Sequence, residues 1–411
     1  MPLPCTFALP WAHIRRTLAA SLLLPLVVTN TWASDTKDPR REGFVSKSGP
    51  WGRLHCYYFY LEAPDSVVDR VPLPDTQPRW RVPEAELAAF EAVVRKSSLP
   101  AEAANALFDS RQLIRKQGVV YLFPSHRFIE SLQPSDREVI YPLLAANHLN
   151  AMYEYPIFFL SGAVDEWAAG AGLRSPLIDT IRSLSYRRGS ALAFSDIPTL
   201  ISKAESDSEV QIIKKRLTRT RSMIVRLELN SETELSPLLD YWSTGLNLRR
   251  KELEPLMTAT AALPGTQYLD IVHLLPALPR KLLYTYPGDE FLTHVRLPDC
   301  HWTTLNFFNY SAQDYYLDSR LAASSIIENF VRVEPPYRFG DVLMFTDGQG
   351  RAFHSCIYLA DELVYTKNGA NPLLPWVMLE LSDLAQMYNL DLGEGAIHGY
   401  RHKHGRQAEA Q

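Results

Sequence analysis

Cysteine is scarce in this chain, 4 among 411 residues, and no charge of one sign dominates it, the formal net charge being −4. A protein built to coat nucleic acid would carry a basic excess, so that class of partner is set aside. There is no H-E-x-x-H, no C-x-x-C and no Cys/His quartet at zinc-finger spacing, which leaves no expected metal centre. A Gly-rich phosphate loop is missing, as is the G-x-S-x-G elbow of serine hydrolases, and no cofactor is expected. Low-complexity tracts and convincing repeats are absent, although Pro is plentiful at 29. What remains is an ordinary globular composition, 46% hydrophobic and 21% charged, in a chain long enough for two cores.

Only one long apolar run occurs. Arg15-Arg16 precedes Leu18-Ala19-Ala20-Ser21-Leu22-Leu23-Leu24-Pro25-Leu26-Val27-Val28, and small Thr31 and Ala33 follow at cleavage-like positions. The run is too short to cross a bilayer comfortably, and residues 1–33 are read as a removable signal peptide. No stable membrane span is expected, and the mature chain is expected to be exported, to the periplasm or the extracellular space. Cleavage after Ala33 leaves Cys56, Cys300 and Cys356. An odd count excludes complete pairing within one chain, so at least one thiol is free or pairs between molecules.

Residues 34–83 are polar and Pro-containing, with one strand-like stretch, Cys56 to Leu61. From 84 to 264 the pattern is helical, as in Glu84 to Val94, where larger apolar residues recur three or four apart. Ser135 is the expected cap of a helix that meets Pro142. The cationic run from Lys214 to Arg221 is read as a solvated helix face with local ion pairs, and Tyr186-Arg187-Arg188-Gly189 as a helix end. A Pro-punctuated bridge is expected over 265–298. The last unit, 299–400, changes period. Phe339 to Phe345 reads as turn then strand, Asp347-Gly348-Gln349-Gly350 as a hairpin loop, Ala352 to Leu359 as the return strand and Leu363 to Lys367 as a third. A helix is expected from Trp302 to about Asn309, and a second from Ser311.

Chemistry concentrates in that unit. Cys300 opens the run Asp299-Cys300-His301-Trp302-Thr303-Thr304-Leu305, where a polar turn passes into an apolar helix. Unpaired N–H groups and the helix dipole favour a thiolate there. His354, the single histidine of the return strand, would supply its base. The backbone N–H of Cys300 would contribute to an oxyanion hole. Cys356 shares the face of His354, since residues two apart on a strand point the same way, and is read as a small core residue. His301 points about 100° round the helix from Cys300 and is assigned, with Trp302, to substrate contact.

Asp299-Cys300 opening a helix, Gly340-Asp341-Val342-Leu343 entering a strand, and His354 to Tyr358 followed by Asp361 together resemble the NlpC-type cell-wall cysteine peptidases and amidases. The likeness covers about Tyr284 to Tyr388. It implies a papain-like unit, a Cys-bearing helix packed on an antiparallel meander, and does not account for the helix-rich N-terminal region before it; the whole chain is expected to be α+β. The resemblance also implies a peptide or amide substrate, with peptidoglycan stem peptides the family's example. The third polar residue, which orients the imidazole, would fall near Thr366, with Lys367 and Asn368 adjacent. Asn368 is preferred over Thr366, because its carbonyl can accept from a ring N–H without adding charge. The rival expectation is an exported binding or scaffold protein with an inactive papain-like unit, motivated by the bulky His301-Trp302 after Cys300.

Overall fold

The computed structural model describes residues 43–403 apart from 71, 73–75, 245–246, 289–295 and 389–396. The expected signal peptide lies outside the described residues. The chain enters through β1 (Gly43–Val45) and β2 (Leu54–Leu61), antiparallel to each other. β2 contains the strand expected over Cys56 to Leu61. Leu54 and Cys56, two apart, point into the same core.

Residues 80–213 then build a core of their own around Trp80, Phe128, Tyr141, Trp167, Ile181 and Phe194. Helices run over Leu87–Val94, Pro134–Ala145, Ser175–Leu184 and Asp207–Arg216. Two small antiparallel sheets interrupt the expected helical pattern. One comprises β3 (Trp80–Pro83), β4 (Ile114–Lys116) and β5 (Val119–Leu122), in the order β3-β5-β4. The other comprises β6 (Ile157–Phe159), β7 (Tyr186–Arg188) and β8 (Ala191–Phe194), in the order β6-β8-β7. Tyr186-Arg187-Arg188-Gly189 is therefore a strand and turn rather than a helix end. Arg188 pairs with Ala191, and Gly189 at φ 62° supplies the left-handed residue that a two-residue hairpin turn requires. The helix Pro134–Ala145 accommodates Pro142, and Asp136, not Ser135, serves its start by accepting from the Gln133 N–H at 2.9 Å.

β2 pairs along its whole length with residues 220–227 of β9 (Thr220–Leu229), and β10 (Gln267–Asp270) flanks β9, completing a sheet of order β1-β2-β9-β10. The stretch expected as a bridge supplies Ile271, Leu274, Leu275, Leu278 and Leu282 to the larger core, where they join Leu54, Trp242, Trp302 and Trp376. Its prolines serve short helical turns, as Pro276 does ahead of Ala277–Leu282, so abundant Pro here does not mean a solvated linker. The helical span expected over 84–264 is likewise drawn on by both cores, since Met223, Val225, Leu239 and Trp242 belong to the larger one.

The C-terminal sheet is entirely antiparallel. β11 (Phe330–Val333), β12 (Val342–Thr346), β13 (Ala352–Ala360), β14 (Leu363–Lys367), β15 (Trp376–Glu380) and β16 (Ile397–His402) lie in the order β11-β16-β12-β13-β14-β15. β12 to β14 follow the expected spans closely. Gly340, at φ 91°, lets the chain turn into β12, and a Cβ there would lie 2.3 Å from the Phe308 ring. Asp341 is buried and accepts both guanidinium N–H groups of Arg401 at 2.7 Å, which ties β16 to the start of β12. The helix expected from Ser311 begins only at Ser319, capped by Asp318. Asn306 Oδ1 accepts from the Gln313 N–H at 2.7 Å and holds the intervening loop. The molecule is thus mixed α/β with antiparallel sheets, consistent with an α+β class. Among the described residues no helix is long and apolar enough to cross a membrane, and no group of three His, Cys, Asp or Glu could hold a metal ion.

Candidate active site

Asp299 starts the helix that carries Cys300. Its carboxylate accepts from the Trp302 N–H at 2.8 Å and its carbonyl from the Thr303 N–H at 3.1 Å, giving the helix Cys300–Leu305. The helix lies against the C-terminal sheet through polar side chains. His301 Nδ1 and Thr304 Oγ1 meet Ser355 Oγ of β13 at 2.9 and 3.0 Å, and Thr303 Oγ1 accepts from Trp376 Nε1 of β15 at 2.9 Å. Cys300 shares the Thr303 and Thr304 side of the helix, three and four residues on.

His354 lies near the start of β13, with its ring stacked on Tyr388 at 4.4 Å between centroids and flanked by Phe345. Thr366 Oγ1 is 3.1 Å from His354 Nε2 and 3.4 Å from the Ser355 carbonyl. A carbonyl can only accept, so the threonine proton goes to Ser355 and its oxygen accepts from Nε2–H. That network assigns the tautomer in which Nδ1 keeps its lone pair. Nδ1 is buried and has no hydrogen-bond partner among the described residues. Among the described residues no hydrogen bond joins Cys300 to His354. A charge on Cys300 nevertheless acts on Tyr388, the ring stacked on His354, and on Cys356 two residues along β13.

The preference for Asn368 as the orienting residue is corrected. The imidazole is held by Thr366, which shares a sheet face with His354 and reaches it directly. Asn368, beyond the end of β14, donates to Met387 Sδ at 3.7 Å, and its Oδ1 is buried without a partner among the described residues. Trp302, expected at the substrate, is 0% exposed and packs with Trp376 in the larger core. His301 is partly buried and tied to Ser355, and burial lowers its pKa, so the neutral ring is favoured. Cys356 is buried in a third, small apolar cluster on the C-terminal sheet, with Leu343, Tyr358 and Val364. All three described cysteines are free, so Cys56 and Cys356 do not pair.

Three side chains were not assigned from sequence. Ser355 docks the helix, Tyr388 stacks on His354, and Lys367 is a buried lysine at the end of β14. Alternation along a strand could have pointed to Ser355 as facing the helix, but nothing local links Tyr388 to His354. Cys300 and His354 are 4% and 0% exposed, so the site is closed in this state. A surface cavity of about 420 Å³, lined by Glu138, Asp165, Arg182 and Arg187 among others, belongs to the helical half and shares none of these residues. Neither protein-family models nor curated proteins nor solved structures offer any match to this chain.

Proposed function

We propose that the protein is an exported cysteine hydrolase of papain-like type, acting on a peptide or amide bond. The observation that carries this reading is the divided imidazole of His354. One nitrogen is anchored on Thr366 and the other is, among the described residues, an unpaired lone pair on a ring stacked against Tyr388, and the charge of Cys300 at the helix start acts on that tyrosine. In the proposed reaction His354 Nδ1 takes the Cys300 proton, and the sulfur adds to the carbonyl carbon. The imidazolium then returns the proton to the leaving amine as the C–N bond breaks. Water, deprotonated by the same nitrogen, releases the acid from the thioester. Catalytic hydrogen bonds are often long before substrate binds, so the missing Cys300–His354 bond is compatible with this sequence of steps.

Resemblance to the NlpC-type enzymes makes peptidoglycan stem peptides the first substrates to assay. Cys300→Ser and His354→Ala are each expected to lower turnover by about 10³-fold or more, and the double variant to be little worse than either. Full activity in Cys300→Ser would remove the mechanism. The export reading predicts a mature N-terminus near Ser34, and Edman sequencing of material from outside the cytosol reads it directly. The alternative, an inactive exported scaffold, draws on the complete burial of His354. It gains if the wild-type protein hydrolyses none of these substrates.

A further inference from the structure

We infer that Tyr388 is a gate: its ring lies on His354 in the closed state and has to turn away before the imidazole can meet a substrate. This rests on the reading of His354 as the base. The imidazole is 0% exposed, and its Nδ1 has no hydrogen-bond partner among the described residues. A base takes its proton across a hydrogen bond, directly or through one water. A wholly covered ring offers no such contact to a molecule from outside, so one of the groups covering it has to move.

The contacts of the ring point to which one. Thr366 Oγ1 stands 3.1 Å from Nε2, Phe345 meets the ring at 5.3 Å between centroids and 65° between planes, and Tyr388 stacks on it at 4.4 Å and 29°. Thr366 and Phe345 are themselves 0% exposed and sit in paired strands, β14 and β12, where packing leaves no room to turn. Tyr388 differs on both counts. It lies outside the sheet, as the residue that ends the helix Leu381–Met387, and its backbone N–H donates back to the Ala385 carbonyl at 3.2 Å. It is also partly exposed, and Phe353, which packs against it at 5.7 Å, is 40% exposed. Solvent therefore reaches the tyrosine and not the histidine. A turn about the side-chain bonds of Tyr388 gives up its stacking on His354 and its edge contact with Phe345, and leaves every ladder hydrogen bond intact.

The test is carbethoxylation of His354 in the full chain at fixed pH, with diethyl pyrocarbonate as the probe and peptide mass spectrometry as the readout. The reagent acylates an imidazole nitrogen that carries a lone pair, as Nδ1 does here. Wild-type His354 should react at least about tenfold more slowly than His148, whose side chain is 80% exposed. Tyr388→Ala should speed His354 by about tenfold, whereas Tyr388→Phe, which keeps the ring, should stay within about threefold of wild type. In the wild type the His354 rate should hardly rise with urea below the unfolding transition, because turning one ring exposes little new surface, and this decides the matter if Tyr388→Ala does not fold. An unchanged rate in Tyr388→Ala, an equal rise in Tyr388→Phe, or a wild-type rate that climbs with urea as steeply as global unfolding overturns the gate and leaves the hydrolase reading standing. Faster thiol labelling of buried Cys356 in Tyr388→Ala would show a general loosening and overturns it as well. Selective uncovering of His354 in a protein that turns over no amide substrate keeps the gate and counts against the hydrolase reading alone.

Discussion

His354 shows how one side chain's usefulness depends on which of its two nitrogens is occupied. With Nε2–H on Thr366 the ring cannot rotate without losing that bond, and Nδ1 is kept as an acceptor. Thr366→Ala should therefore lower kcat by about 10- to 100-fold with little change in KM, because tautomer and ring orientation are lost while the binding surface is not. Asn368→Ala should cost less than threefold. Steady-state kinetics on a peptide amide separates the two, and the reverse ranking would restore Asn368 as the orienting residue. The cysteines divide in the same way by environment. Burial, reinforced by Glu380 and Asp361, pushes Cys56 up to about 12 and leaves it an inert thiol.

At the scale of elements, the junction of β15 with its following helix, Leu381–Met387, gathers acidic groups against β2 and β9. Tyr58 of β2 donates to Glu380, and Arg221 of β9 lies over the Tyr58 ring at 3.6 Å while pairing with Asp383 at 3.0 Å. Ser222 of β9 binds the Met378 carbonyl and accepts from the Met378 N–H, which fixes the two sheets together. Burial first, then Asp383, raises Glu380 from 4.5 to about 7. Burial first also raises Asp383 from 3.8 to about 6, against the lowering effect of Arg221. Both folded values exceed the unfolded ones, so the native state binds more protons between them. Their contribution to stability is complete below about pH 4 and is lost as pH rises through 6 to 7. Tm should fall between pH 5 and pH 7.5. Glu380→Gln, which keeps an acceptor for Tyr58, should raise Tm at pH 7.5 by roughly 2 °C and leave pH 5 unchanged. Equal effects at both pH values would show that the carboxyl's protonation is not the cause.

On the scale of the whole molecule, two principal apolar cores are joined through continuous chain and through the β2–β9 ladder. Tyr284 N–H donates to the Trp376 carbonyl and Trp376 N–H to the Thr285 carbonyl, so the stretch leading toward Cys300 is stitched to β15. All the described residues belong to one compact unit. Leu274→Ala, in the stretch that composition marks as a bridge, should destabilise by about 2–4 kcal/mol in urea unfolding, as a core leucine does. A cost under about 0.5 kcal/mol is what a surface linker would show.

Local pattern by itself determined the strands β12, β13 and β14, the loop Asp347 to Gly350 and the helix start at Asp299-Cys300. Each depends on neighbouring residues: alternation, a turn signal, a carboxylate within reach of the first free N–H groups. It also singled out Cys300 and His354. Only the tertiary structure decided the rest. Thr366 rather than Asn368 meets the imidazole because strand pairing and side-chain direction, not amide chemistry, set which group is near. Tyr388 and Ser355 join the site from positions that local spacing does not connect to it. The small sheets β3-β5-β4 and β6-β8-β7 arise from pairings too short to outweigh helical periodicity in a local window. The bridge is buried because Ile271, Leu274 and Leu278 find partners in Trp242 and Trp376, and apolar burial of that kind is a property of distant residues brought together.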